Sequence, residues 1–271
     1  GVIRVRDALG DELVLAGPAR RVVSLIPSVT ETLFALGKGA ALAGCTNYCI
    51  HPKEALRSVP KVGGTKDPNA DLVRALAPDL VLANKEENRR EDVDVLRTIA
   101  PTHVSYPRDL DDLLSYMNDL GVLLGAEDAA ARVVDEVAAA RAERDRDRAA
   151  GRMPPLRVVY LIWRKPWMAA AADTYVDAML RETGFVNALS TPDAGLEGRY
   201  PEIDLSRCRS LGVDLVLLSS EPYPFDARHV PEVAAAAGLP ESQVRPVSGE
   251  AFSWFGARAP QAFAEARRLR R

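Results

Sequence analysis

Residues 21–37 read RVVSLIPSVTETLFALG, and the order of apolar and polar positions predicts a complete local unit. Residues 22–26 are apolar or small and mostly β-prone, as expected of a strand buried on both faces. Pro27 ends that strand. Ser28 and Glu31 stand in the Ser-x-x-Glu spacing of a capping box, so a helix is expected to open there. Leu33, Phe34 and Leu36 continue it, and Gly37 or Gly39 closes it. A strand feeding a helix without a glycine-rich turn is an α/β unit that lacks a dinucleotide fingerprint. That argues against a nicotinamide or nucleotide enzyme.

The same grammar recurs along the chain. In the first half, strands are expected at 22–26, 79–83 and 102–105, and helices at 30–36, 71–76, 91–98 and 110–124. The opening GVIRVRDALGDELVL reads as a hairpin turning near Gly10 and Asp11. Between 128 and 150 the pattern changes. Val133, Val134, Val137 and Ala138 form a narrow stripe, the charge-dense run RAERDRDRAA follows, and nothing interrupts the helix before Gly151 and Pro154-Pro155. Such a helix is about 35 Å long at about 1.5 Å per residue. Its charges are expected to lie on a solvated face, with Arg141 and Asp145, and Asp145 and Arg148, spaced to pair. Strands at 157–163, 214–219 and 244–247 and helices at 174–183, 231–237 and 259–270 make a second half. Arg267, Arg268, Arg270 and Arg271 suit the C-terminal end of the last helix. The expectation is two α/β lobes with small, mostly parallel sheets joined by one long backbone helix. The N-terminal lobe is 1–125, the bridging helix 126–152 and the C-terminal lobe 153–271.

A chain of 271 residues, 47% of them hydrophobic, is long enough for both lobes. The net charge of −3 gives no reason to expect nucleic acid. No apolar run approaches the roughly 18 to 20 residues of a membrane span. Cys45, Cys49 and Cys208 are too few for a disulfide framework. A zinc site on Cys45 and Cys49 needs two more ligands where only His51 stands near, so buried thiols are expected and no metal site. His51, His103 and His229 fall in no catalytic spacing, and Glu86 and Glu87, adjacent in sequence, need not converge. Nothing in this pattern asks for an enzyme.

The loops after the strands hold the aromatic and charged residues: NYCIHP, NKEENRRED, WRKPWM, RYPEID, SSEPYPF and FSWFGAR. In open α/β sheets, ligands bind at the carboxyl ends of strands, and clefts between lobes are common sites. Trp163, Trp167, Trp254, Tyr48, Tyr200 and Tyr223 all lie in these loops and offer rigid faces for a broad, flat ligand. Lys85, Arg89, Arg164, Lys165 and Arg258 supply charge to meet carboxylates or phosphate on it.

These segments, with GCTNYCIHPKEA, KVGGTKDPNADLVRALAPDLVLANKEENRRED and DLVLLSSEPYPF in order, carry a family likeness over nearly the whole length. The chain resembles the helical-backbone metal-chelate receptors, the substrate-binding proteins of ABC importers for cobalamin, ferric siderophores and haem, and is closest to the cobalamin-binding branch. The resemblance implies a non-catalytic, monomeric receptor with no covalently bound cofactor, holding cobalamin or another corrinoid between the lobes. A ferric-siderophore or haem receptor is the second reading, and a tetrapyrrole-handling enzyme or chaperone the reading from another class. Tyr48 matches a tyrosine that packs on the corrin, Tyr200 falls at a tryptophan of the family's cleft, and Trp254 and Phe255 match a Trp-Phe pair of its last loop. The expected ligand-binding residues are therefore Tyr48, Lys85, Arg89, Trp163, Trp167, Tyr200, Tyr223, Trp254, Phe255 and Arg258.

Thr65 stands where the cobalamin receptor has a tryptophan and Ser253 where it has an aspartate, which suits a more polar chelate. The family docks on its ABC permease dimer through one acidic residue per lobe. Asp71 matches the first, whereas Ser206 occupies the second position unless Glu202 or Asp204 substitutes. The expected location is extracytoplasmic, in the periplasm or cell envelope. A cytoplasmic location is the alternative, because no signal or lipid-anchor cysteine is visible.

Overall fold

The computed structural model describes residues 1–271, and the chain separates into two compact units. The N-terminal unit comprises Gly1–Pro107, Asp111–Glu136 and Phe255–Ala257; the C-terminal unit comprises Arg108–Leu110, Val137–Trp254 and Arg258–Arg271.

The N-terminal unit opens with a hairpin of β1 (Ile3–Arg6) and β2 (Glu12–Leu15). Asp7 anchors it. One carboxylate oxygen accepts the amides of Leu9 and Asp11, and the other accepts the amide of Val104 and pairs with Arg97 at 3.1 Å. Next come β3 (Val22–Ser24), α1 (Pro27–Ala35), β4 (Leu42–Cys45), α2 (Lys53–Leu56), α3 (Ala70–Ala75), β5 (Leu80–Asn84), α4 (Arg90–Arg97), β6 (Thr102–Ser105) and α5 (Leu110–Leu124). The four strands β4-β3-β5-β6 form a wholly parallel sheet. Every residue of β3, β5 and β6 is buried, as parallel strands covered on both faces require. Val23, Leu25, Val81, Ala83, Leu96 and Val104 belong to the core on this sheet.

The start of α1 departs from the expected capping box. Ile26 is the extended N-cap residue, Pro27 is already helical, and no side chain caps the end. Proline presets the helical φ and has no amide to satisfy, so the turn opens one residue before Ser28. Ser28 instead offers its carbonyl to the Thr32 hydroxyl at 2.7 Å.

Helix α6 (Glu127–Ala149) runs for 23 residues, close to the expected span; its residues to Glu136 group with the N-terminal unit and those from Val137 with the other. Beyond it lie β7 (Leu156–Trp163), β8 (Met168–Ala169), α7 (Tyr175–Glu182), β9 (Phe185–Asn187), β10 (Leu215–Ser219), α8 (Val230–Ala237), β11 (Val244–Val247), α9 (Gly249–Ser253) and α10 (Pro260–Leu269). Strand β7 pairs in parallel with β10 and β9, β10 in parallel with β11, and only β8 is antiparallel. Val159, Leu161, Val216, Leu218 and Val233 lie in the core of this unit. The architecture is thus two α/β units with small, mostly parallel sheets and one long helix shared by both.

The charge run of α6 is not simply a solvated face. Arg141 and Arg144 each reach Glu182 of α7 at 2.5 Å, and Arg267 of α10 reaches Glu143 at 2.7 Å. These charges fasten the second half of α6 to the C-terminal unit. Replacing Glu182 by Gln leaves two partly buried guanidiniums without their carboxylate. The expected loss is about 1 to 3 kcal/mol, at the low end for a broken buried pair because the groups keep some solvent. Urea unfolding of E182Q measures it, and an unchanged midpoint would show the network to be inert.

Candidate functional site

In the C-terminal unit the loops after β7, β10 and β11 collect the aromatic residues and one half-buried carboxylate. Glu221 follows the end of β10 by two residues. Its Oε1 accepts the Ser253 hydroxyl at 2.6 Å and the Trp254 indole N–H at 2.9 Å. Beneath it, the Tyr160 hydroxyl donates to Ser219 Oγ (3.1 Å), and that hydroxyl donates to the Glu221 carbonyl (2.6 Å). Gly249 is required here: a Cβ at that position would lie 2.3 Å from Ser219 Oγ and 2.8 Å from Glu221 Cγ. Burial pushes the Glu221 carboxyl above its ordinary range, against the opposing Ser253 hydrogen bond. Trp254 is buried, at 7% exposure, with the Arg258 guanidinium 5.2 Å from its ring centre. Arg258 is held by Glu250 at 2.8 Å.

A second group forms around Tyr223. Trp163 meets it edge-to-face at 5.7 Å, Phe225 lies at 4.6 Å, and Trp167 stacks on Phe225 at 6.4 Å. His229 Nδ1 accepts the Asp226 amide, so the neutral ring carries its proton on Nε2, 3.3 Å from the Tyr223 hydroxyl. This histidine therefore orients Tyr223 within the cluster. Trp167 and Tyr223 pack on the core, whereas Trp163 remains 41% exposed. Arg164 is engaged by Glu232 through two bonds of 2.9 and 3.0 Å. Residues 201–203 run along β8, with the Ala169 amide on the Pro201 carbonyl and the Ile203 amide on the Trp167 carbonyl. That pairing sets Tyr200 at the end of the strip, 36% exposed, with the Arg199 guanidinium 5.5 Å from its ring centre.

In the N-terminal unit, Tyr48 stands on the turn after β4 and is 63% exposed. The flanking thiols are buried. Cys49 Sγ contacts the hydroxyls of Thr30 (3.2 Å) and Thr46 (3.3 Å), and Lys61 Nζ lies 3.3 Å from Cys45 Sγ. A hydrogen bond between the thiols, with those from the threonines, pulls Cys49 down to about 6, while the same contact and burial push Cys45 up. No third histidine, cysteine or carboxylate joins them as a metal ligand set. Instead the cluster braces the Tyr48 turn from below.

The charged loop after β5 is organised by two asparagines that the sequence pattern did not single out. Asn84 Oδ1 accepts the amides of Glu86 and Glu87; Asn88 Oδ1 accepts the Asn84 amide, and its amide group donates to the Thr65 carbonyl. Asn84 and Asn88 are buried, and the four-residue spacing on either side of a strand end was the available signal. Lys85 Nζ sits 5.0 Å from the centre of the Tyr106 ring, and Arg89 pairs with Asp92 at 2.8 Å. Phe255 is buried edge-on to Tyr116 at 6.2 Å and groups with the N-terminal unit.

At the two expected docking positions, Asp71 is exposed in the first turn of α3 and pairs with Arg74 at 2.8 Å. Ser206 bonds the Asp204 carboxylate through its amide (3.0 Å) and hydroxyl (2.7 Å), which hold Asp204 below the usual carboxylate range.

Two α/β units built on small, mostly parallel sheets, with an aromatic set on the strand-end loops, have the architecture of a solute-binding protein. Residues 22–240 match the periplasmic binding protein family, and the chain belongs to it. Among individual relatives, the vitamin B12-binding protein of Yersinia pestis (strain Pestoides F) is 34% identical over 109 residues, which span 37% of this chain and only 39% of that protein. The periplasmic vitamin B12 binding protein of Vibrio cholerae superposes with a TM-score of 0.76 at 20% identity, covering 93% of this chain and 97% of its own. A periplasmic heme-binding protein from Roseiflexus sp. RS-1 superposes with a TM-score of 0.78 at 21% identity, covering 93% and 100%. Both structures share the fold. No helix is long and apolar enough to cross a membrane.

Gly256, between Phe255 and the Ala257 amide that bonds Thr32 Oγ1 at 3.1 Å, has φ +129°, and a Cβ there would lie 2.2 Å from Thr32 Oγ1. Gly256→Ala is expected to cost at least about 1 to 3 kcal/mol from backbone strain alone. A thermal midpoint equal to that of the wild type would show that the loop relaxes freely.

Proposed function

We propose that this protein is a receptor for a metal chelate with a large planar macrocycle, cobalamin or another corrinoid in first place, and that it delivers the chelate to an ABC permease dimer. The observation that carries the reading is the contrast between exposed rings and engaged charges on the strand-end loops. Tyr48 and Trp163 stay largely exposed and Tyr200 is 36% exposed, while Arg89, Arg164 and Arg258 are each engaged by a carboxylate of the same unit. Aromatic faces beside neutralised charges favour stacking on a flat, weakly charged ligand over ionic capture of an anion. Tyr223 meets Trp163 edge-to-face and is linked through Phe225 to Trp167, and Trp254 and Phe255 are buried supports. Ferric siderophore or haem is the second reading, favoured by the Lys85 ammonium poised over Tyr106. Asp71 is the docking residue on the first unit, and Asp204, bonded to Ser206, supplies the acidic group on the second. The reading assigns no catalytic step and places the protein outside the cytoplasm as a monomer.

Tryptophan-fluorescence titration with cobalamin, a ferric siderophore and haemin, corrected for absorbance, tests it. Saturable quenching by cobalamin at micromolar or lower concentration is expected. Saturation by the siderophore or haemin alone would replace the ligand, and silence to all three would overturn the receptor reading. Trp163→Ala is expected to weaken cobalamin by about 1 to 3 kcal/mol, whereas unchanged affinity would remove this ring from the site.

A further inference from the structure

We propose that Glu221 is a specificity-determining residue that selects chelates fringed with hydrogen-bond donors, such as carboxamides, against chelates fringed with carboxylates. The inference rests on the corrinoid reading above and names the chemistry of the ligand's rim.

Three observations carry it. First, the carboxylate is built in: Oε1 takes two donors, Ser253 and Trp254, and Gly249 leaves the space for its stem. Second, Oε2 takes no hydrogen bond from the chain, yet it is not one of the polar atoms sealed away without a partner. A partly buried carboxylate is thus left with one open acceptor beside the indole of Trp254. Third, the guanidinium nearest to Glu221 is shared with a second carboxylate. The charged groups facing it are Glu250 and Arg258, and Arg258 Nη1 is committed to Glu250 at 2.8 Å. The uncharged neighbours are Ser219 with Tyr160 behind it, Ser253 and Trp254.

An approaching amide N–H satisfies Oε2 and recovers part of the cost of burying the charge. An approaching carboxylate meets like charge where water screens poorly, which is discrimination by repulsion as well as by attraction. The sign with pH follows. Burial raises the Glu221 carboxyl, so lowering the pH protonates it ahead of an ordinary glutamate. The protonated group donates instead of repelling, and the preference for amides falls as the pH falls.

The test compares two corrins that differ at the rim, dicyanocobinamide with its amides and dicyanocobyrinic acid with carboxylates in their place. Dissociation constants are measured by tryptophan quenching for the wild type and Glu221→Gln, between pH 7.5 and 5. Gln keeps an acceptor for Ser253 and Trp254. The wild type is expected to prefer the amide corrin, with the preference shrinking toward pH 5. In E221Q the preference is expected to drop by about tenfold at pH 7.5, mainly through tighter binding of the acid. Equal preference in wild type and variant, with parallel pH profiles, would overturn the role of Glu221 while leaving the receptor reading intact. Should the variant not fold, the wild type decides the question at pH 7.5: no preference for the amide corrin, or a preference for the acid, overturns it. Binding of neither corrin by the wild type would remove the corrinoid reading and this inference with it.

Discussion

Complete burial of the parallel strands is the constraint on which the rest depends. In β5 and β10 all five residues are buried, so each strand needs hydrogen-bonded neighbours on its edges and helices on its faces. Parallel neighbours cannot be joined by tight turns; the chain must return through a crossover. In each unit, all the loops that follow parallel strands therefore emerge on one edge of the sheet. Tyr48 and the charged loop at Asn84 to Asp92 lie at that edge of the first unit's sheet, and Glu221 with Trp163, Trp167 and Tyr223 at that edge of the second's, brought together within each unit by topology, not by closeness in sequence.

Within that edge, small polar residues do much of the positioning. Asn84 and Asn88 fold the loop after β5 by capturing its amides, and Thr46 and Thr30 hold the thiol beneath Tyr48. His229 plays the same part for Tyr223, and Glu221 with Ser253 fixes the edge of Trp254. Each is a short side chain bonded to a nearby backbone or ring. Rings held this way have little rotamer entropy left to lose, which is how preorganisation converts contact into affinity.

The charges follow a different economy. Several of the arginines that looked available for an anion are engaged within their own unit, Arg164 by Glu232 and Arg258 by Glu250 among them. The charge-rich stretch of α6 behaves likewise, joining α7 and α10 through Glu182 and Arg267. A receptor arranged this way binds through shape and stacking first. Its remaining polar selectivity then falls on the few groups left with an open atom.

The sequence by itself determined the family, the α/β class, the long helix and eight of the eleven strands, without β4, β8 and β9. Each of these rests on local periodicity, on the placement of proline and glycine, and on burial patterns that survive without knowledge of partners. It also located the loops that carry the aromatic residues. It misplaced the start of α1, because Ser-x-x-Glu spacing and a proline at the first helical position compete, and the proline's fixed φ prevailed. The burial of Trp254 and Phe255 and the pairing of Arg164 and Arg258 were not legible either. Whether a ring is an open face or a buried support, and whether a guanidinium is available or already paired, depends on residues such as Glu221, Tyr116, Glu232 and Glu250 brought near by folding. Pairing and burial are properties of contacts between distant segments, so only the tertiary structure decides them.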